Sequence, residues 1–237
     1  MSEGTVVVEI RFQGPPTSGN GGYVCGRLAA FLDGAVAVRL SEPPPLGVPL
    51  SVQRTDDGAA LTYEGRTIAA ARPVVLPLEP PAPPTAEQAV QASRSYRGFE
   101  SHWFPSCFVC GPEREPGDGL RIFPGAVAGA DMVSCSWTPH ATLGDSAGRV
   151  RPEFLWAALD CPGGFAFEAP AEGVILLGEL AVALDGDVAV GEPCVVVGWE
   201  IERDGRKHHT GTAIYDASGA CRGVGRAIWL EAARPPS

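Results

Sequence analysis

The most apolar stretch of the chain is residues 154–159, FLWAAL, which begins two positions after Pro152. Proline is common in the first turn of a helix, and a helix that is apolar on nearly every face is buried on all sides. The pattern therefore predicts a buried helix within residues 151–167. Asp160 follows the apolar run directly. A buried carboxylate costs free energy unless it is hydrogen-bonded or takes part in chemistry, so Asp160 is a candidate functional residue.

Two further segments have the pattern of helices. Residues 23–32 have helical spacing of apolar positions, begin after Gly21-Gly22 and end at Asp33-Gly34. A glycine after the last apolar position is a typical stop signal. Residues 85–95 form a shorter candidate, with Thr85 as the N-cap.

The other apolar segments predict β-strands, because they are short, rich in β-branched residues and separated by turn residues. The Asp57-Gly58 pair predicts a hairpin turn, and Asp204-Gly205 and Ser218-Gly219 predict turns between later strands. The high content of glycine (30) and proline (23) agrees with many turns. The predicted strands are residues 5–12, 35–40, 49–54 and 59–70, followed later by 119–127, 132–138, 174–184, 194–203, 208–216 and 221–231.

A proline-dense stretch at residues 73–84 divides these elements into two similar series. Each series contains a strand, a loop, a helix and then several strands that we expect to be antiparallel. The chain is therefore predicted to be α+β and to contain a duplicated unit. Its expected boundaries are a first half at 1–76, a proline-rich linker with a possible short helix at 77–105, and a second half at 106–237.

Composition narrows the possible partners. The net charge of −10 argues against nucleic acid, whose phosphates need a basic surface. No apolar run is long enough to cross a membrane, and the amino-terminal residues do not have the pattern of a signal peptide. With seven cysteines and no export signal, we expect reduced thiols and a cytoplasmic location.

Several short motifs resemble those of the phenylacetic-acid-degradation branch of hotdog acyl-CoA thioesterases. In that branch a His-Gly-Gly sequence begins the helix, and an aspartate follows nine residues after the histidine. Here Asn20-Gly21-Gly22 and Arg151-Pro152-Glu153 stand at the two corresponding places, and Leu159-Asp160, Gly164 and Ala166 match the segment that follows. Residues 107–111, CFVCG, with Gly119-Leu-Arg121, are similar to a lead-in common in such proteins. The resemblance implies a tandem (double) hotdog, with two antiparallel sheets that each wrap a central helix.

The same resemblance implies one composite site instead of two. In the hotdog fold one half supplies backbone N–H groups at its helix start, and the other half supplies the carboxylate. Pro152 has no N–H, and Ala29, nine residues after Asn20, has no carboxylate. The expected site therefore combines Asn20, Gly21 and Gly22 of the first half with Asp160 of the second.

The implied reaction is hydrolysis of an acyl-CoA thioester, with coenzyme A as part of the substrate and no other cofactor. Asp160 would be the general base or the nucleophile, Gly21 or Gly22 N–H would form the oxyanion hole, and Asn20 would orient water or substrate. Tyr23, Trp156 and Gly164 are expected to bind substrate. The predicted partner is a small acyl-CoA, and the double hotdog is expected to be able to form a homodimer.

Two other interpretations of the chain remain open. The chain could be a non-catalytic hotdog that binds an acyl or aromatic ligand, with Asp160 only ending its helix. Gly144-Asp-Ser-Ala-Gly148 fits the nucleophile elbow of a serine hydrolase, with Ser146 as nucleophile and His208 or His209 as base. Arg94, Arg97, Arg203, Arg206 and Lys207 are candidates for contact with the phosphates of coenzyme A, although a solvated hairpin tip is the favoured explanation for each.

Cys107 and Cys110 look like half of a zinc knuckle. A second pair of ligands at suitable spacing is missing from the neighbouring sequence. His102 and Cys135 could complete a site only through the tertiary fold. The expectation is two buried thiols in a tight turn and no metal.

Overall fold

The computed structural model describes residues 2–168, 170 and 172–233 of the chain. The strands of these described residues form one antiparallel sheet of 11 strands in the order β1-β3-β4-β5-β2-β8-β11-β10-β9-β7-β6. They are β1 (Ser2–Val7), β2 (Val36–Leu40), β3 (Pro49–Thr55), β4 (Gly58–Tyr63), β5 (Arg66–Pro73), β6 (Gly125–Ala126), β7 (Val133–Trp137), β8 (Val174–Leu184), β9 (Cys194–Asp204), β10 (Lys207–Tyr215) and β11 (Cys221–Ala232).

The two halves of the chain are joined through β2 and β8. These strands pair in antiparallel register from Val36 opposite Val182 to Arg39 opposite Glu179. Each would otherwise be the edge of its own half, and an unpaired edge leaves main-chain N–H and C=O groups without partners. The expectation of two separate sheets is therefore wrong, because the two edges pair and make one continuous sheet.

Most predicted strands agree with the structure, and the four long strands that close the chain differ from it by no more than two residues at either end. Three early predictions are corrected. Residues 59–70 are two strands separated by a turn at Glu64-Gly65, where both residues have positive φ. The first strand ends at Val7 and is followed by a 3₁₀ turn over Ile10–Phe12. Of residues 119–127, only Gly125–Ala126 is a strand.

In the described ranges, four α-helices accompany the sheet: α1 (Gly21–Ala29), α2 (Ala86–Arg94), α3 (Pro152–Ala158) and α4 (Cys161–Phe165). The N-cap prediction for α2 is confirmed, because the Thr85 hydroxyl accepts from Gln88 N and the Gln88 side chain accepts from Thr85 N. This reciprocal pair is a capping box. The described part of the chain has no helix long and apolar enough to cross a membrane.

The single buried helix expected within residues 151–167 is two helices that meet at Asp160. α3 has Pro152 in its first turn, as predicted, and ends before Leu159 and Asp160. Asp160 has ψ −80 and serves as the N-cap position of α4, in which Pro162 occupies the first turn. A proline cannot donate to the preceding turn, so an uninterrupted helix is disfavoured here. The break leaves the Asp160 side chain at a corner of the backbone.

The two helices α1 and α3 pack directly on each other. Gly22 and Gly26 lie one turn apart on α1, and a β-carbon at either position would collide with the second-half helix. At Gly22 it would meet Asp160 Cβ and lie 2.8 Å from Trp156 O, and at Gly26 it would lie 2.8 Å from Glu153 Cα. The absence of side chains therefore lets the start of α1 approach Asp160 closely.

Candidate active site

Asp160 lies against the N-terminus of α1, as the comparison of the two halves predicted. Its Oδ2 accepts from Asn20 Nδ2 (2.8 Å) and from Gly22 N (2.9 Å). Asn20 Oδ1 in turn accepts from Tyr23 N (2.9 Å), so this residue caps α1 and holds the carboxylate at once. Asp160 is therefore hydrogen-bonded to two residues that precede it by 138 and 140 positions in the sequence.

The two carboxylate oxygens of Asp160 have different surroundings. The residue is 2% exposed. Oδ2 receives the two hydrogen bonds, whereas Oδ1 is buried and has no hydrogen-bond partner among the described residues. Burial raises the pKa of Asp160 to about 7, and the hydrogen bonds from Gly22 and Asn20 oppose that rise only in part. A buried carboxyl group with an unpaired oxygen is typical of a functional site.

The first-turn N–H groups of α1 are not equally available. The Gly22 N–H is bound to Asp160 and the Tyr23 N–H is bound to Asn20. The Gly21 N–H has no hydrogen-bond partner in the described part of the chain. Of the two glycines predicted to form an oxyanion hole, Gly21 therefore offers the free donor, at the positive end of the helix.

A half-open cavity of about 70 Å³ adjoins these groups. Asn20, Gly21 and Asp160 contribute to its polar corner, and most of the remaining surface is apolar or sulfur-bearing. The other lining residues are Gly14, Pro15, His102, Trp103, Phe104, Cys107, Cys110, Cys161, Gly164, Phe165, Ile175, Leu176, Leu177 and Trp229. Gly164, predicted to bind substrate, is among them.

Tyr23 and Trp156, the other two residues predicted to bind substrate, do not line this cavity. The Tyr23 ring stacks on Phe12 at 4.2 Å and belongs to an aromatic cluster with Phe108 and Phe154. Trp156 is buried on the face of α3 that packs against Gly26. Both side chains lie in the core and not on the surface of this cavity.

The architecture is shared with solved structures whose sequences differ greatly from this one. The tesB protein of Mycobacterium avium subs paratuberculosis matches 98% of this chain and 92% of its own, with a TM-score of 0.61 and 12% identity. A protein of unknown function with the hotdog fold, from Alicyclobacillus acidocaldarius, matches 98% and 93%, with a TM-score of 0.58 and 9% identity. This chain has the hotdog fold. The hotdog fold implied by the sequence motifs is thereby confirmed, although its strands form one continuous sheet and not two.

A third hotdog structure, from Novosphingobium aromaticivorans and described as a candidate thioesterase, matches 96% of this chain and 94% of its own. Its TM-score is 0.60 at 13% identity. No family model matches the sequence, and no curated protein is similar to it in sequence.

The segment around Ser146 does not have the geometry of a nucleophile elbow in this hotdog protein. That motif needs a buried strand before the serine and a helix directly after it. Ser146 is instead exposed in a loop that follows a 3₁₀ turn over Ala141–Leu143. Asp145 organises the loop, since its Oδ1 accepts from Ala147 N and Arg149 N. Residues 144–148 are therefore a polar loop whose sequence happens to fit the Gly-x-Ser-x-Gly pattern.

Two of the candidate residues, His208 and Arg97, make structural contacts outside the Asp160 site. The His208 ring stacks on Phe167 at 3.8 Å, and its Nε2 is 2.8 Å from Glu231 Oε1. Arg97 donates to the carbonyl oxygens of Phe167 and Gly164. Its guanidinium is therefore used to hold the loop after α4.

Three buried cysteines border the cavity beside Asp160. Cys107 Sγ lies 4.0 Å from Cys161 Sγ and 3.9 Å from Asn20 Nδ2. Cys110 Sγ lies 3.4 Å from His102 Nε2. Hydrogen bonds from the thiols of Cys110 and Cys161 hold the pKa of the Cys107 thiol well below its usual range. Cys161 cannot be assigned to this group from the sequence, because it lies 51 residues after Cys110 and its place beside Cys107 and Cys110 depends on the fold.

Proposed function

We propose that this hotdog protein hydrolyses a thioester, with an acyl-CoA as the substrate class. The observation that carries the proposal is the buried Asp160 carboxylate, whose Oδ1 has no hydrogen-bond partner among the described residues and which adjoins a largely apolar cavity. A solved hotdog structure described as a candidate thioesterase supports the reaction class. The motif resemblance to acyl-CoA thioesterases supports the substrate class.

In this mechanism the ionised Asp160 removes a proton from a water molecule, which attacks the thioester carbonyl carbon. The C–S bond then breaks, and the leaving thiolate takes the proton from Asp160. A pKa of about 7 suits a general base at neutral pH, because a useful fraction is ionised and the proton is still held strongly. Direct attack by the Asp160 carboxylate on the same carbon is the alternative course.

Gly21 N–H is the proposed donor to the carbonyl oxygen as that oxygen becomes negative. It has no hydrogen-bond partner within the ranges that the structure describes, adjoins the cavity and lies at the start of α1. A donor of this kind is worth roughly 3 kcal/mol of activation free energy. Asn20 is a positioning residue in this scheme, since its Nδ2 holds Asp160 Oδ2 and leaves Oδ1 for water.

The cavity indicates a small or compact acyl group. Its volume of about 70 Å³ is near half of the roughly 150 Å³ of an engineered apolar cavity that binds benzene. Trp103, Phe165 and Trp229 supply aromatic walls. Short acyl groups should therefore be accepted without rearrangement, whereas long chains require the walls to move.

The decisive experiment is a turnover assay on a series of acyl-CoA thioesters of increasing chain length. We expect hydrolysis to be fastest with short acyl groups and to fall by roughly 10²-fold or more in kcat in Asp160→Asn, the usual cost of removing a general base. Asparagine keeps an oxygen for the bonds from Gly22 and Asn20, so the fold should survive.

Asp131→Asn is the matched control, because Asp131 is exposed and lies outside the cavity lining, and it should keep full activity. Ser146→Ala should also be fully active. If wild-type protein binds acyl-CoA by calorimetry but turns over no member of the series, the chain is a non-catalytic binder and the proposed reaction is wrong.

A further inference from the structure

The group of three cysteines beside the cavity has the arrangement of a metal site. The Sγ atoms of Cys107, Cys110 and Cys161 all lie within 4.8 Å of one another, and all three residues are buried. No other set of three potential ligands in the described part of the chain is grouped so closely. Cys25, Cys135 and Cys194 are also buried but lie outside the group, so they can serve as control positions.

The distances agree with a tetrahedral zinc ion. With Zn–S bonds of about 2.3 Å, neighbouring sulfurs of a tetrahedron are roughly 3.8 Å apart. The observed separation of Cys107 Sγ and Cys161 Sγ is 4.0 Å. Thiolates are soft ligands that select zinc over calcium or magnesium. Only small shifts would bring the three sulfurs onto one ion.

The backbone around Cys107 and Cys110 is shaped as a metal knuckle. Gly111 N donates to Cys107 O (2.9 Å) and closes the turn. A β-carbon at Gly111 would lie 2.5 Å from both Cys107 O and Pro105 O, so only glycine fits there.

His102 is next to this group but is oriented as a donor. Its Nδ1 accepts from Phe104 N (2.9 Å), which leaves the ring proton on Nε2, 3.4 Å from Cys110 Sγ. A histidine bound to metal through Nε2 would carry its proton on Nδ1 and would lose the bond from Phe104. His102 is thus placed to donate to the Cys110 sulfur, and the fourth position on a metal would face the cavity, where water can reach it.

We propose that Cys107, Cys110 and Cys161 bind one Zn²⁺ ion as thiolates, with a water molecule from the cavity as the fourth ligand. The ion would tie the knuckle at residues 107–111 to the start of α4. Because Cys107 also contacts Asn20, it would brace the three segments that surround Asp160. This proposal is independent of whether the protein hydrolyses thioesters.

The first test measures the metal directly on the full-length protein. Protein purified under reducing conditions without chelator should contain about one zinc per chain, because structural thiolate sites bind zinc strongly. X-ray absorption at the zinc edge should show three sulfur ligands and one lighter atom. Replacement by Co²⁺ should give thiolate-to-cobalt charge-transfer absorption and the intense visible bands of a tetrahedral ion. These measurements need no variant, so they remain decisive even if a variant fails to fold.

The second test uses alanine variants of the cysteines. Cys107→Ala, Cys110→Ala and Cys161→Ala should each weaken zinc binding by more than about 100-fold, since changes outside the ligand shell already cost 10–100-fold. Cys135→Ala is the matched control, also buried but outside the group, and should bind as wild type does. His102→Ala should keep the zinc stoichiometry, and loss of zinc in this variant would overturn the water-filled fourth position.

The whole proposal fails if wild-type protein takes up neither zinc nor cobalt with sulfur ligation. It also fails if Cys161→Ala and Cys135→Ala bind equally. A disulfide among the three cysteines would be detected as a mass two hydrogens lower in protein purified without reductant. If that protein still bound no zinc after reduction, the group would be a redox pair and not a metal site.

Discussion

At the scale of single residues, the central feature is the unequal treatment of the two oxygens of Asp160. One oxygen is held by Asn20 and Gly22, and the other is buried with no hydrogen-bond partner in the part of the chain that the structure describes. The hydrogen bonds fix the direction of the side chain, but they do not compensate fully for the loss of water. The result is a raised pKa. The same feature that prepares the residue for proton transfer therefore makes the folded state less stable when the carboxyl group is ionised.

This conflict predicts opposite effects of pH on activity and stability. The pKa of Asp160 is about 7 in the folded protein, against an ordinary value of 3.8. Between these two values the Asp160 carboxyl group is protonated in the folded state but ionised in the unfolded state. The stabilisation of the folded state by the raised pKa is therefore complete below about pH 4 and is lost as the pH rises to about 7. Over the same upper range kcat/KM should increase, because the base must be ionised.

The measurement is Tm and kcat/KM of wild type from pH 5 to 9, with chelator present so that no bound metal adds charge beside Asp160. Asp160→Asn cannot ionise at this position, so its Tm should depend less on pH and should exceed that of wild type above pH 7. Identical pH dependence of Tm in the two proteins would contradict the raised pKa.

At the scale of elements, the site depends on how closely α1 approaches α3. Gly22 and Gly26 supply the space, and the break between α3 and α4 directs Asp160 toward Gly22 N. Neither helix contains the site alone. The contact of α1 with the junction between α3 and α4 thus brings Asn20 and Gly22 within hydrogen-bonding distance of Asp160.

Gly22→Ala should therefore destabilise the protein, although alanine favours a helix by roughly 1 kcal/mol over glycine. The new β-carbon would press on Asp160 Cβ and on the backbone oxygen of Trp156. Overpacking of this kind costs about 1–3 kcal/mol, and the displaced carboxylate should lower kcat as well. Denaturant unfolding and the turnover assay measure the two effects.

Gly21→Ala is the control on the same helix turn. Its β-carbon would meet Leu177 Cδ2 and Leu40 Cδ1, which are ends of flexible side chains, so its cost in stability should be smaller. If the two substitutions were equally destabilising, close packing of α1 on α3 would not be the reason for glycine at position 22.

At the scale of the whole molecule, pairing of β2 with β8 makes the two halves one sheet. The helices α1 and α3, one from each half, share a single buried interface, and the core extends through both halves. A structure of this kind should unfold as one cooperative unit. The duplicated pattern in the sequence does not imply two independent domains.

The positions of tryptophan allow a direct test of this cooperativity. All five tryptophans lie at position 103 or later, so their fluorescence reports the second half, whereas far-ultraviolet circular dichroism reports both. We expect the two denaturation curves to coincide with one midpoint. A circular dichroism transition that begins at a lower denaturant concentration than the fluorescence change would show that the first half unfolds separately.

Local patterns in the sequence determined the elements and the main chemical candidates. The long strands of the second half, the capped helix at Thr85 and the buried helix after Pro152 follow from periodicity and cap residues, which depend on near neighbours. Comparison of the two halves also placed Asn20, Gly22 and Asp160 in one group. Whether that group performs the proposed chemistry stays a prediction.

The tertiary structure alone decided which atoms within those candidates are free and what surrounds them. Packing of the two halves places Gly22 N–H in a hydrogen bond with Asp160 and leaves Gly21 N–H without a partner among the described residues. It also buries the side chains of Tyr23 and Trp156 in the core. It also joined the two expected sheets and brought Cys161 beside Cys107 and Cys110. These contacts join residues far apart in the chain, so they cannot be predicted from the spacing of residues in the sequence. They depend on the close approach of two helices and the pairing of two strand edges.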